Sequence, residues 1–170
     1  MRALYVGRFQ PIHCGHVSVI KWLLARADEV IIVVGSAQES HTPKNPFTAG
    51  ERIEMIKLAL REESIPEERA YIAPVPDIAM NFVWVRYLKM LLPPFEYVVA
   101  RNPLVVRLFE EAGVKVIVPP QFNRHECSAT YIRKLMVEGG EWERLVPASV
   151  AEYIKKIKGI ERLRQIMLGD

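Results

Sequence analysis

With 170 residues, half of them hydrophobic and a quarter charged, the chain has the composition of a water-soluble globular protein about one domain long. Its 23 basic and 20 acidic residues give a formal net charge of +3, too balanced to call for nucleic acid as a partner. Cys14 and Cys127 form no CxxC pair or multi-cysteine framework, no apolar run reaches membrane-spanning length, and no secretory pattern opens the chain, so reduced thiols and a cytoplasmic setting are expected.

The first element is an apolar run, Ala3-Leu4-Tyr5-Val6, that reads as a buried strand. Val17, Ile20, Leu23, Leu24 and Ala27 then recur at helical spacing. Between them lies Gly7-Arg8-Phe9-Gln10-Pro11-Ile12-His13-Cys14-Gly15-His16, a strand-to-helix corner of the kind where α/β proteins present ligand-binding groups. Gly7 permits a sharp exit from the strand, and Gly15, lacking a Cβ, allows close approach. If the helix starts at His13, that side chain and His16 share a face, and Arg8 joins them from the loop, which suits a polyphosphate. Zinc bound with Cys14 and two isolated histidines are the alternatives; no other Cys/His cluster completes a metal set.

Residues 29–35 form a continuous apolar run ending in Gly35, as expected of a strand buried on both faces. The polar stretch from Ser36 to Thr48 is a loop leaving that strand's carboxyl end, and it carries Lys44, either a phosphate contact or a solvated lysine. Thr48 and Glu51 form a capping box for a helix bearing Ile53, Met55, Ile56, Leu58, Ala59 and Leu60.

A third strand over 70–75 leads to Asp77 and a helical pattern from about Ile78 to Leu92. If helical geometry starts at Asp77, then Asp77, Asn81 and Trp84 lie on one face. A carboxylate, an amide and an indole there could recognise a planar cationic group; the plainer reading is a cap, a surface amide and a core ring.

Tyr97-Val98-Val99-Ala100 is a fourth strand, Asn102 a turn residue or a ligand contact, and Pro103 the start of a helix closed by Gly113. Residues 114–118 form a fifth strand. Ser128-Ala129-Thr130 then opens a helix with Arg133 one turn in, which is either a second anion site or an ordinary cap with a surface arginine. Residues 147–168 read as one last helix with a solvated basic face of Lys155, Lys156, Lys158, Arg162 and Arg164. Five alternations of strand and helix, without a repeat or linker, argue for an α/β fold over residues 1–170, a Rossmann-like doubly wound parallel sheet of about five strands with a helical C-terminal segment (147–170).

The sequence Gly7-Arg8-Phe9-Gln10-Pro11 followed by His13-x-Gly15-His16, with Ser128-x-x-x-Ile132-Arg133 far downstream, resembles the nucleotidylyltransferase superfamily, and within it the archaeal-type nicotinamide-mononucleotide (NMN) adenylyltransferases. The resemblance covers nearly the whole chain; Ala129 replaces a hydroxyl often found in the second motif. It implies that ATP and NMN give NAD and pyrophosphate by direct displacement, with Mg2+ carried on the ATP phosphates and no metal set on the chain.

It implies Arg8, His13, His16, Lys44 and Arg133 as catalytic residues. Substrate would be bound by Gly7, Phe9, Gln10, Gly15, Ser36, Asp77, Asn81, Trp84, Asn102, Ser128, Ala129 and Thr130. Asp77, Asn81 and Trp84 would meet the nicotinamide nucleotide, and Asn102 would border the adenine nucleotide. A homo-oligomer without nucleic-acid or membrane partners is implied as well. Another transferase of the same fold, such as one using phosphopantetheine, and a non-catalytic nucleotide sensor are the competing readings.

Overall fold

In the structure, a computed structural model describing residues 1–123 and 125–168, the chain alternates strands and helices around one parallel sheet. The final two residues of the expected C-terminal segment and Arg124 lie outside the described residues.

The sheet is built from β1 (Arg2–Gly7), β2 (Glu29–Val34), β3 (Ala70–Pro74), β4 (Tyr97–Val99) and β5 (Lys115–Ile117). Their spatial order is β3-β2-β1-β4-β5, with every pairing parallel. The chain therefore builds outward from β1 to one side and then to the other, and the strand order reverses beside β1. Ligands settle at such a switch point, beyond the carboxyl ends of the strands.

Period-2 alternation divides the strand side chains between two cores. Ala3, Val30, Ile32, Val34, Tyr97 and Val99 face one, where α1 (Cys14–Leu24), α2 (Ala49–Glu62), α5 (Ala129–Glu138), α6 (Ala148–Lys156) and α7 (Gly159–Leu168) cover the sheet. Leu4, Ile31, Val33 and Val98 face the other, covered by α3 (Trp84–Leu91) and α4 (Pro103–Glu111). The sheet is thus covered on both sides, which is why β2 is apolar at every position after Glu29.

Three local expectations change. Helix α1 begins at Cys14, with His13 as its extended N-cap rather than its first residue. The segment after β3 is not helical from Asp77: Met80 is extended, Asn81–Val83 is a single 3-10 turn, and α3 starts at Trp84. The Asp77 side chain, which would have capped a helix, instead accepts from Gln38 Nε2 (3.0 Å), while its backbone N–H donates to Gln38 Oε1 (2.9 Å).

The expected last helix is two, α6 and α7, separated at Ile157 and at Lys158, whose φ of 57° belongs to the left-handed region. Its basic face is not uniformly solvated either. Arg162 makes a bidentate pair with Glu51 (2.7 and 2.9 Å) and donates to the Pro46 carbonyl (3.1 Å), and Arg164 donates to the Met136 and Val137 carbonyls. These contacts tie α7 to α5 and to the end of the loop that carries Lys44.

Candidate active site

The β1–α1 corner is organised by its histidines. His13 Nδ1 accepts the backbone N–H of Gly15 (3.1 Å) and His16 (3.4 Å), and His16 Nδ1 accepts the N–H of His13 (3.2 Å), a reciprocal capping box made of imidazoles. With both Nδ1 atoms accepting, the hydrogen-bond pattern assigns each ring proton to Nε2. The rings stack with centroids 3.7 Å apart and 25° between planes.

Burial, and after it the Arg133 charge, pushes the pKa of His13 down to about 4; burial, and then His13, pushes His16 well below the usual histidine value. Two neutral Nε2–H donors are therefore set at the start of a helix whose dipole favours an anion. Gly15 is required by the close packing: a Cβ there would lie 3.0 Å from the His13 ring and 3.1 Å from Cys127 Cβ. Phe9, buried and at φ 53°, lies beneath His16 with ring centroids 4.6 Å apart.

The second motif is brought to this corner. Ser128 caps α5, its Oγ accepting the N–H of Tyr131 (3.2 Å), and Arg133 Nη1 donates to the Gln10 carbonyl (2.9 Å). Burial, and then Arg8, lowers the Arg133 pKa, though it remains a cation at neutral pH. Lys44, Thr130 and Arg133 line one cleft. Cys14 and Cys127 form a disulfide, so the expectation of two reduced thiols is corrected: spacing carried no sign that two cysteines 113 residues apart would meet. The bond joins the first residue of α1 to the residue preceding the α5 cap, and also removes Cys14 from the zinc alternative.

Gln10 has a different job from the one expected. Its buried side-chain amide donates to Phe47 O (3.0 Å) and accepts from Phe47 N (2.9 Å), anchoring the Lys44 loop; only its carbonyl, through Arg133, belongs to the site. Arg8 is exposed, with Nη1 3.4 Å from Asn45 Oδ1.

A neighbouring cleft at the ends of β1, β2 and β3 is lined by Gly7, Arg8, Ser36, Asp77, Trp84 and Asn102, among others. Asp77 and Trp84 thus share a cleft although no common helix carries them. Asn81 is exposed and is not part of its lining. The Trp84 ring stands edge-on to Phe109 at 5.5 Å between centroids, which holds it in place. Asn102 caps α4, its Oδ1 accepting from Leu104 N (2.9 Å) and Val105 N (3.3 Å). It lines this cleft and not the third one, formed by Tyr5, Gly15, Arg101, Phe122, Cys127 and Ser128. Arg101 and Phe122 escaped the sequence reading, since neither lies in a motif.

Among the described residues no three His, Cys, Asp or Glu side chains gather as a metal set, and no helix is long and apolar enough to cross a membrane.

The starts of α1 and α5, one from each motif, converge beside β1. Residues 4–135 match the family described as Cytidylyltransferase-like, and the chain belongs to it. Within that class the similarity narrows to one activity name. The chain is 57% identical over 169 residues to a nicotinamide-nucleotide adenylyltransferase of Saccharolobus solfataricus, covering 99% of this chain and 98% of the relative. It is 56% identical over 171 residues to the protein of the same name from Ignicoccus hospitalis, covering all of both. Among solved structures it matches a bifunctional NMN adenylyltransferase/ADP ribose pyrophosphatase from Francisella tularensis, complexed with AMP and a Mn ion, with a TM-score of 0.76. At 21% identity, over 96% of this chain and about half (52%) of that one, this likeness shows the fold.

Proposed function

We propose that the chain transfers the adenylyl group of ATP to the 5′-phosphate of NMN, giving NAD and pyrophosphate. The observation that carries the reading is the Arg133 hydrogen bond to the Gln10 carbonyl (2.9 Å), which brings the helix-start cation of the second motif against the stacked histidines of the first. Full-length identity to adenylyltransferases supports the choice of substrates.

In the reaction an oxygen of the NMN phosphate forms a bond to the α-phosphorus of ATP, and the bond from that phosphorus to the bridging oxygen breaks. No covalent enzyme intermediate and no proton relay is needed, so positioning and charge stabilisation do the catalysis. The Nε2–H groups of His13 and His16 donate to the phosphate oxygens as the α-phosphorus becomes five-coordinate. Being neutral, they do so without changing charge in the neutral pH range.

Arg133, Lys44 and the first-turn amides of Ala129 and Thr130, beside the Ser128 cap, hold the departing pyrophosphate, and Arg8 draws the two anionic substrates together. The adenosine occupies the cleft by Gly15, Arg101, Phe122 and Ser128. NMN takes the cleft with Ser36, Asp77, Trp84 and Asn102, where the indole stacks on the pyridinium and the carboxylate faces its charge. Asn81 would need to turn in from its exposed position to join them. Mg2+ would be held on the ATP phosphate oxygens and would supply charge neutralisation there.

Self-association in a cytoplasmic setting, with residues 1–170 as a single domain, is part of the same proposal. Phe82, 91% exposed, and Met80 are apolar side chains that a second copy would cover, and sedimentation analysis measures it.

The test is turnover of purified protein with ATP, Mg2+ and NMN, with nicotinate mononucleotide and phosphopantetheine in parallel. NAD formation dependent on both substrates is expected. Product from phosphopantetheine alone would move the chain to another transferase, and ATP binding without product to a sensor.

A further inference from the structure

One buried charge lies outside the machinery just described. Arg52, in the first turns of α2, is completely buried, and its hydrogen-bond partners among the described residues are all backbone carbonyls. Nη1 donates to Arg8 O (2.9 Å) and Gly35 O (2.8 Å), Nη2 to Ser36 O (3.0 Å) and Glu39 O (3.4 Å), and Nε to Thr48 O (3.2 Å). Burial, and after it the charge of Arg8, pushes its pKa down to about 10, so it is a cation at neutral pH.

Two of the carbonyls it binds, those of Arg8 and Gly35, directly precede two unusual backbone positions. Phe9, directly after Arg8, has φ 53°, and Ser36, directly after Gly35, has φ 48°. Non-glycine residues are strained in the left-handed region and persist there only where their surroundings enforce it. These two kinks are the points at which the chain leaves β1 and β2. They aim Arg8 and Ser36, which both line the cleft assigned above to NMN. A planar guanidinium with five donors can reach both strand ends at once, and an ammonium cannot.

We propose that Arg52 is a positioning residue for the nicotinamide-nucleotide cleft: its guanidinium fixes the left-handed exits of β1 and β2 and so sets Arg8 and Ser36 on the cleft wall. The inference rests on the placing of NMN in that cleft.

The experiment measures KM for each substrate and kcat in Arg52→Lys, Ser36→Gly and the double variant, against wild-type protein. Arg52→Lys is expected to raise KM for NMN by about 10-fold while KM for ATP changes less than about 3-fold. Because glycine adopts positive φ without penalty, Ser36→Gly in the Arg52→Lys background should recover about 3-fold of that loss, beyond its effect in the wild-type background. A loss of active fraction or melting temperature with both KM values unchanged would overturn the proposal, as would equal rises in both or a double variant that shows no rescue. A rise confined to ATP would overturn the placing of NMN. Failure of both Arg52 variants to fold would make Arg52 a residue of overall stability and overturn it too. Wild-type protein that makes no NAD would instead refute the reaction itself.

Discussion

The histidine corner and the cleft proposed for NMN adjoin each other at the end of β1, and they are held in different ways. At the corner, nearly every group is fixed by another member of the site: the imidazoles cap each other's backbone, Arg133 rests on the Gln10 carbonyl, and a disulfide joins the two helix starts. Across β1, Asp77 is exposed and, among the described residues, hydrogen-bonds only to an exposed Gln38, and Asn81 lies open to solvent. Groups that stabilise a transition state gain from being fixed before the reaction, because no reorganisation is left to do. A recognition cleft has less need of this, and here half of its lining residues lie outside strands and helices.

That contrast can be broken first at its covalent bond. A bond closing a loop of 113 residues is worth up to about 4.7 kcal/mol in the chain-entropy account, so Cys14→Ser should lower the unfolding free energy by several kcal/mol in thermal or denaturant melts. Little change would mean that the corner is fixed by its hydrogen bonds alone.

Acid comes next. His13 has a folded pKa of about 4 against an ordinary value near 6.5, so between those values the unfolded chain binds more protons than the folded one. Stability is then fully present above pH ~6.5 and falls by about 3 kcal/mol as pH drops to ~4, with His16 adding in the same direction. Denaturant melts across that range, compared with His13→Asn, measure the difference; a flat profile would contradict neutral, buried rings.

Removing a donor from the fixed corner should act on the chemical step: His16→Ala is expected to lower kcat by about 100-fold or more, with both KM values little changed. Near-normal turnover in a folded variant would take His16 out of the mechanism. Trp84→Ala, on the adaptable side, should raise KM for NMN by about 10-fold and leave kcat within a few fold, as stacking in the ground state requires. An effect on kcat of the same size as that of His16→Ala would erase the distinction between the two regions.

Much of this architecture was legible in the sequence. The five strands follow from apolar runs, the parallel, doubly wound character of the sheet from their alternation with helices, and the Thr48–Glu51 capping box is present as read. Four features were not, each for a physical reason. Asp77 has the residue type of a helix cap, but its side chain and its N–H are both taken by Gln38. Arg52 looks like a surface charge on an amphipathic helix; its signal is its spacing, since it precedes Met55, Ile56 and Ala59 by three, four and seven residues and so lies on their buried face. Arg162 looked solvated because its partner Glu51 is far away in sequence. The cysteine pairing depends wholly on where the starts of α1 and α5 come together in space.

The Cys14–Cys127 bond also changes what the chain is as a covalent object. Strands β2 to β5 lie between the two cysteines, so they belong to a closed ring rather than to a thread. A protease that cuts once within that ring, for example in the polar 36–48 loop, opens it without releasing a fragment. The nicked molecule keeps its mass, and its two pieces separate only when a thiol reductant is added.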